Sequence, residues 1–278
     1  MYHGKFTAPH PDGSSHALDP FLQREIKLAK NIQSTLLNGE VPTFNGGEVS
    51  GSSLPARLIG GDYYDFYPLV NGKMRIVIGD VMGKGIPAAM LMILTRGAFR
   101  SASESTKGPG DTLRAMNQAL FKDLRALGSF VTLFCADWDP KHYMLTYANA
   151  GHNMPLHISG STGNIQTLSK VKGALVGGIP NLVYTEEQMH LDKGDMVFFY
   201  TDGIVEAQNT EQEQFKLERL IQILQENKDK SAEELQESVL SSIHTFTEGL
   251  PQKDDITMVT LKITSDNSDI TSLNSPVI

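Results

Sequence analysis

Four aspartates mark the ends of apolar strands. The run 74–78 leads into Gly79-Asp80, the run 196–200 leads into Thr201-Asp202-Gly203, and Asp254-Asp255 opens the run 256–263. One carboxylate at a strand end is an ordinary solvated turn residue; repetition makes the pattern informative. The fourth aspartate, Asp62, is tied to Asp80 by a hairpin. Asn71-Gly72 separates the strand-like runs 62–69 and 73–79, and Asn-Gly in such a place is the strongest short-range hairpin signal. A turn centred there puts Asp62 opposite Val81 and beside Asp80, within one residue of register. Two carboxylates that close repel unless a cation sits between them or one takes up a proton. Oxygen donors without a His or Cys cluster suit Mg²⁺ or Mn²⁺ better than zinc. The surrounding glycines, Gly60, Gly61, Gly79, Gly83, Gly85 and Gly203, let backbone approach ions and phosphate closely.

Two nucleotide-binding alternatives meet the same residues. Gly79-Asp80-Val81-Met82-Gly83-Lys84-Gly85 looks like a phosphate-binding P-loop but lacks the four-residue spacing between glycines and the Ser or Thr after the lysine. Gly60-Gly61-Asp62-Tyr63-Tyr64-Asp65-Phe66 looks like the GGDEF signature of diguanylate cyclases. That signature belongs at a hairpin turn, and here the turn falls at Asn71-Gly72, which leaves a cyclase as a remote alternative.

The elements that must position these side chains follow from periodicity. Asp19 caps a helix with Pro20 at its first position, and Leu22, Ile26, Ala29, Ile32 and Leu36 recur along it before Gly39 stops it. This amphipathic helix packs on the chain's own core or pairs with a second copy or a regulatory domain. The segment 87–102 is apolar on all sides, as expected of a helix sandwiched between layers. Leu113, Met116, Leu120 and Leu124 mark another helix. Ser231 with Glu234 forms a capping box ahead of Leu235, Val239, Ile243 and Phe246. Strands are expected at 130–138, 144–148, 196–200 and 256–263. Antiparallel strands interleaved with paired helices predict an α+β sandwich.

Composition narrows the partners. The chain of 278 residues is 40% hydrophobic, enough for a substantial core, and its formal net charge is −8. That balance argues against nucleic acid or an anionic membrane as the main partner. The sequence shows no membrane span and no signal peptide, so a cytoplasmic location is expected. Cys135, inside an apolar run, reads as a buried small hydrophobe. The ends, 1–17 and 265–278, are polar and aperiodic and are expected to be mobile.

Five blocks occur together and in order: Pro55-Ala56-Arg57 through Phe66; Gly79 through Gly85-Ile86-Pro87-Ala88-Ala89; Asn149-Ala150-Gly151-His152; Thr201-Asp202-Gly203 with Glu206; and Asp254-Asp255-Ile256-Thr257. In these the chain resembles the PPM family, the protein phosphatase 2C-like metal-dependent Ser/Thr phosphatases, in its bacterial RsbU and SpoIIE branch. The resemblance implies an αββα sandwich, two central antiparallel sheets flanked by helix pairs, over 45–264, with 18–40 as a connector helix. It implies two Mn²⁺ or Mg²⁺ ions, bridged by Asp80. The Val81 carbonyl would bind one ion and Asp202 and Asp254 the other, with Asp62 completing the set and Asp255 a further candidate. It further implies direct attack on phosphorus by a water that both ions share, with no phosphoenzyme. Arg57 stands where relatives place a phosphate-binding arginine. Many relatives carry a proton-donating histidine two residues after the bridging aspartate, where this chain has Met82. His152 reads as a turn residue with a structural role, Tyr63, Tyr64 and Phe66 as core or sheet-face residues, and Asp65 as an outer partner of the cluster. The implied substrate is a phosphorylated protein, such as an anti-sigma-factor antagonist. An activator protein or a homodimer through 18–40 would raise a low basal activity. The rival is a catalytically silent module of the same fold.

Overall fold

The computed structural model describes residues 19–37, 42, 44, 46–168 and 173–264. Gly39 and the ends 1–17 and 265–278 lie outside the described residues. Two five-stranded antiparallel sheets face each other. One runs in the order β1 (Gly47–Leu54), β10 (Ile256–Ile263), β9 (Met196–Tyr200), β6 (Leu156–Ile158), β7 (Ile165–Thr167). The other runs β2 (Tyr63–Pro68), β3 (Met74–Val81), β4 (Val131–Asp139), β5 (Met144–Ala150), β8 (Glu187–His190). Phe66, Ile76, Phe134, Trp138, Phe199 and Leu261 are among the side chains that fill the space between them. Helices α2 (Ile86–Ser105) and α3 (Pro109–Ala126) cover the outer face of the second sheet, and α5 (Lys216–Glu226) and α6 (Ala232–Thr247) that of the first. This is the expected α+β sandwich of two central sheets between helix pairs. Cys135 is fully buried, and burial pushes its thiol pKa far up.

The hairpin that joins Asp62 to Asp80 pairs one residue out of its expected register. Val70–Gly72 makes a single 3₁₀ turn, and Gly72 takes the left-handed conformation at φ +76°. Val70 thereby joins the loop, a three-residue connection in place of a two-residue one. Tyr63 faces Gly79, so one step outward Asp62 lies across from Asp80 itself. Trp138, Cys135 and Phe134 on β4 hold β3 on its other side, with Asp80 paired to Thr132.

Helix α1 (Pro20–Leu37) starts as its sequence dictates, with the Asp19 carboxylate accepting from the Phe21 N–H at 3.0 Å. Its expected stripe is only partly covered: Leu22, Ala29 and Ile32 are exposed, Ile26 and Leu36 are half-buried, and the buried residue of the helix is Gln33; Phe21 and Leu28, outside that stripe, are exposed as well. Helix α2 departs from expectation in a similar way. It is an outer layer, not a sandwiched one: Ala88, Met92, Phe99 and Ala102 pack inward, while Ile86, Met90, Ile93 and Leu94 are exposed. Uniform hydrophobicity marked the segment as a helix but carried no information about a second layer above it. The predicted capping box is present, with Ser231 Oγ accepting from the Glu234 N–H at 3.2 Å and a Glu234 oxygen accepting from the Ser231 N–H at 2.9 Å. Among the described residues, no helix is long and apolar enough to cross a membrane.

Candidate active site

Antiparallel pairing explains why the aspartates meet. The start of β2 and the end of β3 are the same end of one hairpin, which places Asp62 and Asp80 together. The end of β9 and the start of β10 are likewise neighbours, with Thr201 N–H donating to the Thr257 carbonyl at 3.0 Å. This sets Asp202, at the head of the short helix α4 (Asp202–Val205), beside Asp254 and Asp255. A hydrogen bond crosses from one sheet to the other: the Thr201 hydroxyl donates to Asp62 Oδ2 at 2.8 Å. Two glycines make the convergence possible. A Cβ on Gly61 would sit 2.9 Å from Ala88 Cβ and 3.0 Å from the Val81 carbonyl oxygen, and one on Gly203 would sit 2.0 Å from the Asp255 carbonyl oxygen.

The electrostatics of this edge are those of negative charge that Lys84 compensates only in part. Burial raises the Asp62 pKa well above the carboxylate range, and Asp80 and Asp255 raise it further. Asp80 is pushed up to about 7, by burial first and then by Asp202, Asp254 and Asp255. Asp202 is raised by burial, by Glu206 and by Asp254. Val81 is fully buried beside them. A set of carboxylates and one nearby backbone carbonyl, each destabilising its neighbours' charge, is the donor chemistry that a hard divalent cation satisfies. Among the described residues no three His, Cys, Asp or Glu side chains already converge on one point. Lys84 accounts for part of that, since its ammonium donates to Asp254 Oδ2 and to the Lys253 carbonyl, each at 2.7 Å.

The remaining candidates separate by what they touch. Asp255 is turned toward backbone: its carboxylate accepts from Ala56 N–H and Gly61 N–H, each at 2.7 Å, and so ties the 56–61 loop to β10. Asp65 lies apart from the cluster, held by both arms of Arg100 at 2.7 Å and by the Tyr63 hydroxyl at 2.9 Å. Tyr63, Tyr64 and Phe66 are core residues. Arg57 is exposed, with its guanidinium close to Gly85 and hence beside Lys84. Met82 is 48% exposed. His152 is buried in a turn that Asn149 closes on both sides, and its Nδ1 lies 2.9 Å from the Thr132 hydroxyl. Burial lowers its pKa to about 4, so the ring is neutral at pH 7. Gly60-Gly61 enters β2 at the end opposite the hairpin turn, which removes the geometric basis of the cyclase alternative.

Two contributors were not legible as such in the sequence. Thr201 stands in the Thr201-Asp202-Gly203 block with no role of its own assigned to it, and its bond to Asp62 exists only once the sheets face each other. Gln33 interrupts an apolar helix, which was a signal, and the structure shows its use: its amide donates to the Gly60 carbonyl at 2.7 Å and accepts from the Gly60 N–H at 3.1 Å.

Sheets, helix pairs and carboxylate edge together define a phosphatase domain of the PP2C type. The family model of stage II sporulation protein E, SpoIIE, matches residues 71–264, and the chain belongs to that family. It is 31% identical over 243 residues to the phosphoserine phosphatase RsbU of Bacillus subtilis, covering 87% of this chain and 70% of that protein. It is also 31% identical over 262 residues to the protein IcfG of Synechocystis, covering 84% of this chain but 41% of that longer protein. Among solved structures, the SiaA PP2C domain of Pseudomonas aeruginosa superposes with a TM-score of 0.75 at 22% identity, over 87% of this chain and 97% of that one.

Proposed function

We propose that this domain hydrolyses the phosphate ester of a phosphorylated serine or threonine on a regulatory protein. Asp62, Asp80, Asp202 and Asp254, with the Val81 carbonyl, would hold two divalent cations, Mn²⁺ or Mg²⁺. The observation that carries this is the gathering of Asp62, Asp80, Asp202 and Asp254 at one sheet edge, where burial and neighbouring carboxylates raise the proton affinity of Asp62, Asp80 and Asp202. Such ions supply an activated water and neutralise phosphoryl charge.

The protein's own residues prepare that chemistry. Thr201 fixes Asp62 by one oxygen and leaves the other for the cluster. Asp255 and Gln33 hold the Gly60-Gly61 backbone on which Asp62 rides. Lys84 balances Asp254 until a cation replaces it, and Lys84 and Arg57 then offer positive charge to the phosphoryl group. Met82 carries no transferable proton, so the leaving group takes its proton from solvent. Asp254 gains a partner in either state. A catalytically silent module has no use for this arrangement.

RsbU is named as a phosphoserine phosphatase, and by analogy the substrate here is a phosphorylated anti-sigma-factor antagonist in the cytoplasm. The exposed apolar side chains Phe21, Leu22, Leu28 and Ile32 of α1 support control through the connector helix, by an activator or by a second copy. The test is release of phosphate from a small phosphate ester with Mn²⁺, Mg²⁺ or chelator, for wild type, Asp80→Asn and Asp202→Asn. Cation-dependent turnover lost in both variants is expected. Turnover that survives chelation, or that either substitution leaves intact, contradicts the proposal.

A further inference from the structure

A cavity of about 450 Å³ opens directly beside the carboxylate edge. Its walls come from four elements and one loop: Leu54 closes β1, Gly203 lies in α4, Leu240 and Ile243 lie in α6, Ile256 begins β10, and Leu250 lies in the loop after α6. Two features make it continuous with the site already described. Asp254, Gly203 and Glu206 belong to its lining, and so does Lys84. A group whose phosphate reaches the aspartates therefore lays its neighbouring atoms at this mouth.

Polarity is divided within the cavity. Lys84 and Lys253 stand on the rim, Lys84 bridging Asp254 and the Lys253 carbonyl, and Lys253 reaching Gln208 Oε1 at 2.5 Å. Leu54, Leu240, Ile243, Leu250 and Ile256 supply the aliphatic part of the wall, which polar residues such as His244 and Thr247 share. Leu54 and Leu250 are each 40% exposed, a cost in water that an apolar occupant would reduce. Gln252 pins the rim by donating to the Leu54 and Asp254 carbonyls at 2.8 and 2.6 Å, so the opening is a built feature and not a gap between loose loops. The volume lies in the range of about 300–1,000 Å³ typical of clefts that hold small ligands. It suits one large aliphatic side chain and its backbone.

We infer that this cavity is a specificity subsite: it receives an aliphatic side chain of the substrate, one to three residues from the phosphorylated residue, while Lys84 beside Asp254 faces the phosphate. The inference rests on the phosphatase reading and names the substrate class within it, a phosphoprotein segment with a leucine-like neighbour.

The test uses phosphoseryl peptides of otherwise identical sequence in which a single leucine replaces alanine at each of the three positions on either side, with Mn²⁺ present. Wild type is expected to favour leucine at one position by about tenfold or more in kcat/KM, the scale set by burying one such side chain. Thr247→Trp, which fills the cavity from the end of α6, and Leu250→Asp, which makes its mouth polar on an exposed residue, are each expected to bring that ratio close to one. The ratio reports the subsite independently of overall activity. A flat leucine scan with measurable turnover, or a preference that both variants retain, overturns the subsite and leaves the phosphatase reading standing. Turnover of a small phosphate ester without turnover of any peptide also overturns it. No turnover of the small ester by wild type removes the phosphatase reading itself, and the subsite with it.

Discussion

Asp80 titrates near 7 because burial and three neighbouring carboxylates oppose its charge, and that fixes the sign of the pH dependence. A carboxyl whose folded pKa exceeds its unfolded value contributes stability that is present below the unfolded value, near 3.8, and is lost as pH rises through about 7. At about 1.4 kcal/mol per tenfold change in proton affinity, this costs the cation-free fold at most about 4 kcal/mol at pH 8. Chelated Asp80→Asn is therefore expected to melt above chelated wild type at pH 8, the gap closing toward pH 5; thermal denaturation across that range checks it, and equal melting temperatures at pH 8 would contradict the electrostatic account. Cation binding has the opposite slope, because protons must leave Asp80 and Asp62: affinity for Mn²⁺ is expected to rise with pH from 5 to 8, by up to about tenfold per pH unit for each proton released. That Asp62, Asp80, Asp202 and Asp254 gather at one edge was legible, because strand ends and a hairpin signal place them without knowledge of packing. Which of the adjacent Asp254 and Asp255 turns toward backbone N–H groups was not, because neighbours differ only in which way the chain turns them. Asp255 faces N–H groups of the 56–61 loop, and Asp65 faces Arg100, contacts that link residues far apart in sequence.

Helix α1 is tied to the backbone beside the site by Gln33. Both hydrogen-bonding arms of Gln33 are spent on Gly60, two residues before Asp62. Gln33→Ala leaves those buried backbone groups without partners, at about 1–3 kcal/mol. Faster exchange of the Gly60 N–H and weaker Mn²⁺ binding are expected, with the rest of the fold intact by circular dichroism. Unchanged exchange at Gly60 would show that the helix merely rests on the domain. At the far side of the molecule, Glu234→Ala removes half of the α6 capping box and is expected to lower stability by about 0.5–2 kcal/mol in a denaturant titration, with the midpoint moved and the slope unchanged. Elements with strong periodicity or a cap, α1, α3 and α6, were readable from sequence. The short strands β6, β7 and β8 were not, since three or four residues carry too little alternation. The exposed face of α2 escaped notice because hydropathy reports what a surface prefers and not whether a neighbour exists.

Two five-stranded sheets bring residues from both halves of the chain to one acidic edge, in a molecule with a net charge of −8. Divalent cations would relieve part of that charge and brace the sheets against each other across the Thr201 to Asp62 bond. If the exposed apolar side chains of α1 pair with a second copy, specific activity falls on dilution while an Ile32→Glu variant is weakly active at every concentration; dilution-independent activity in wild type would rule out that mode of control. The two-sheet architecture was inferable from alternating strands and helix pairs, whereas the cavity beside Asp254, assembled from four elements and one loop, had no local signature. The central claim is that these carboxylates form one cation centre. Calorimetric titration of Mn²⁺ into wild type and Asp80→Asn tests it most directly. Saturable heat with about two ions per chain in wild type, lost or reduced to one weak ion in the variant, is the predicted result. No cation-dependent heat in wild type, or an identical isotherm in Asp80→Asn, would contradict the account.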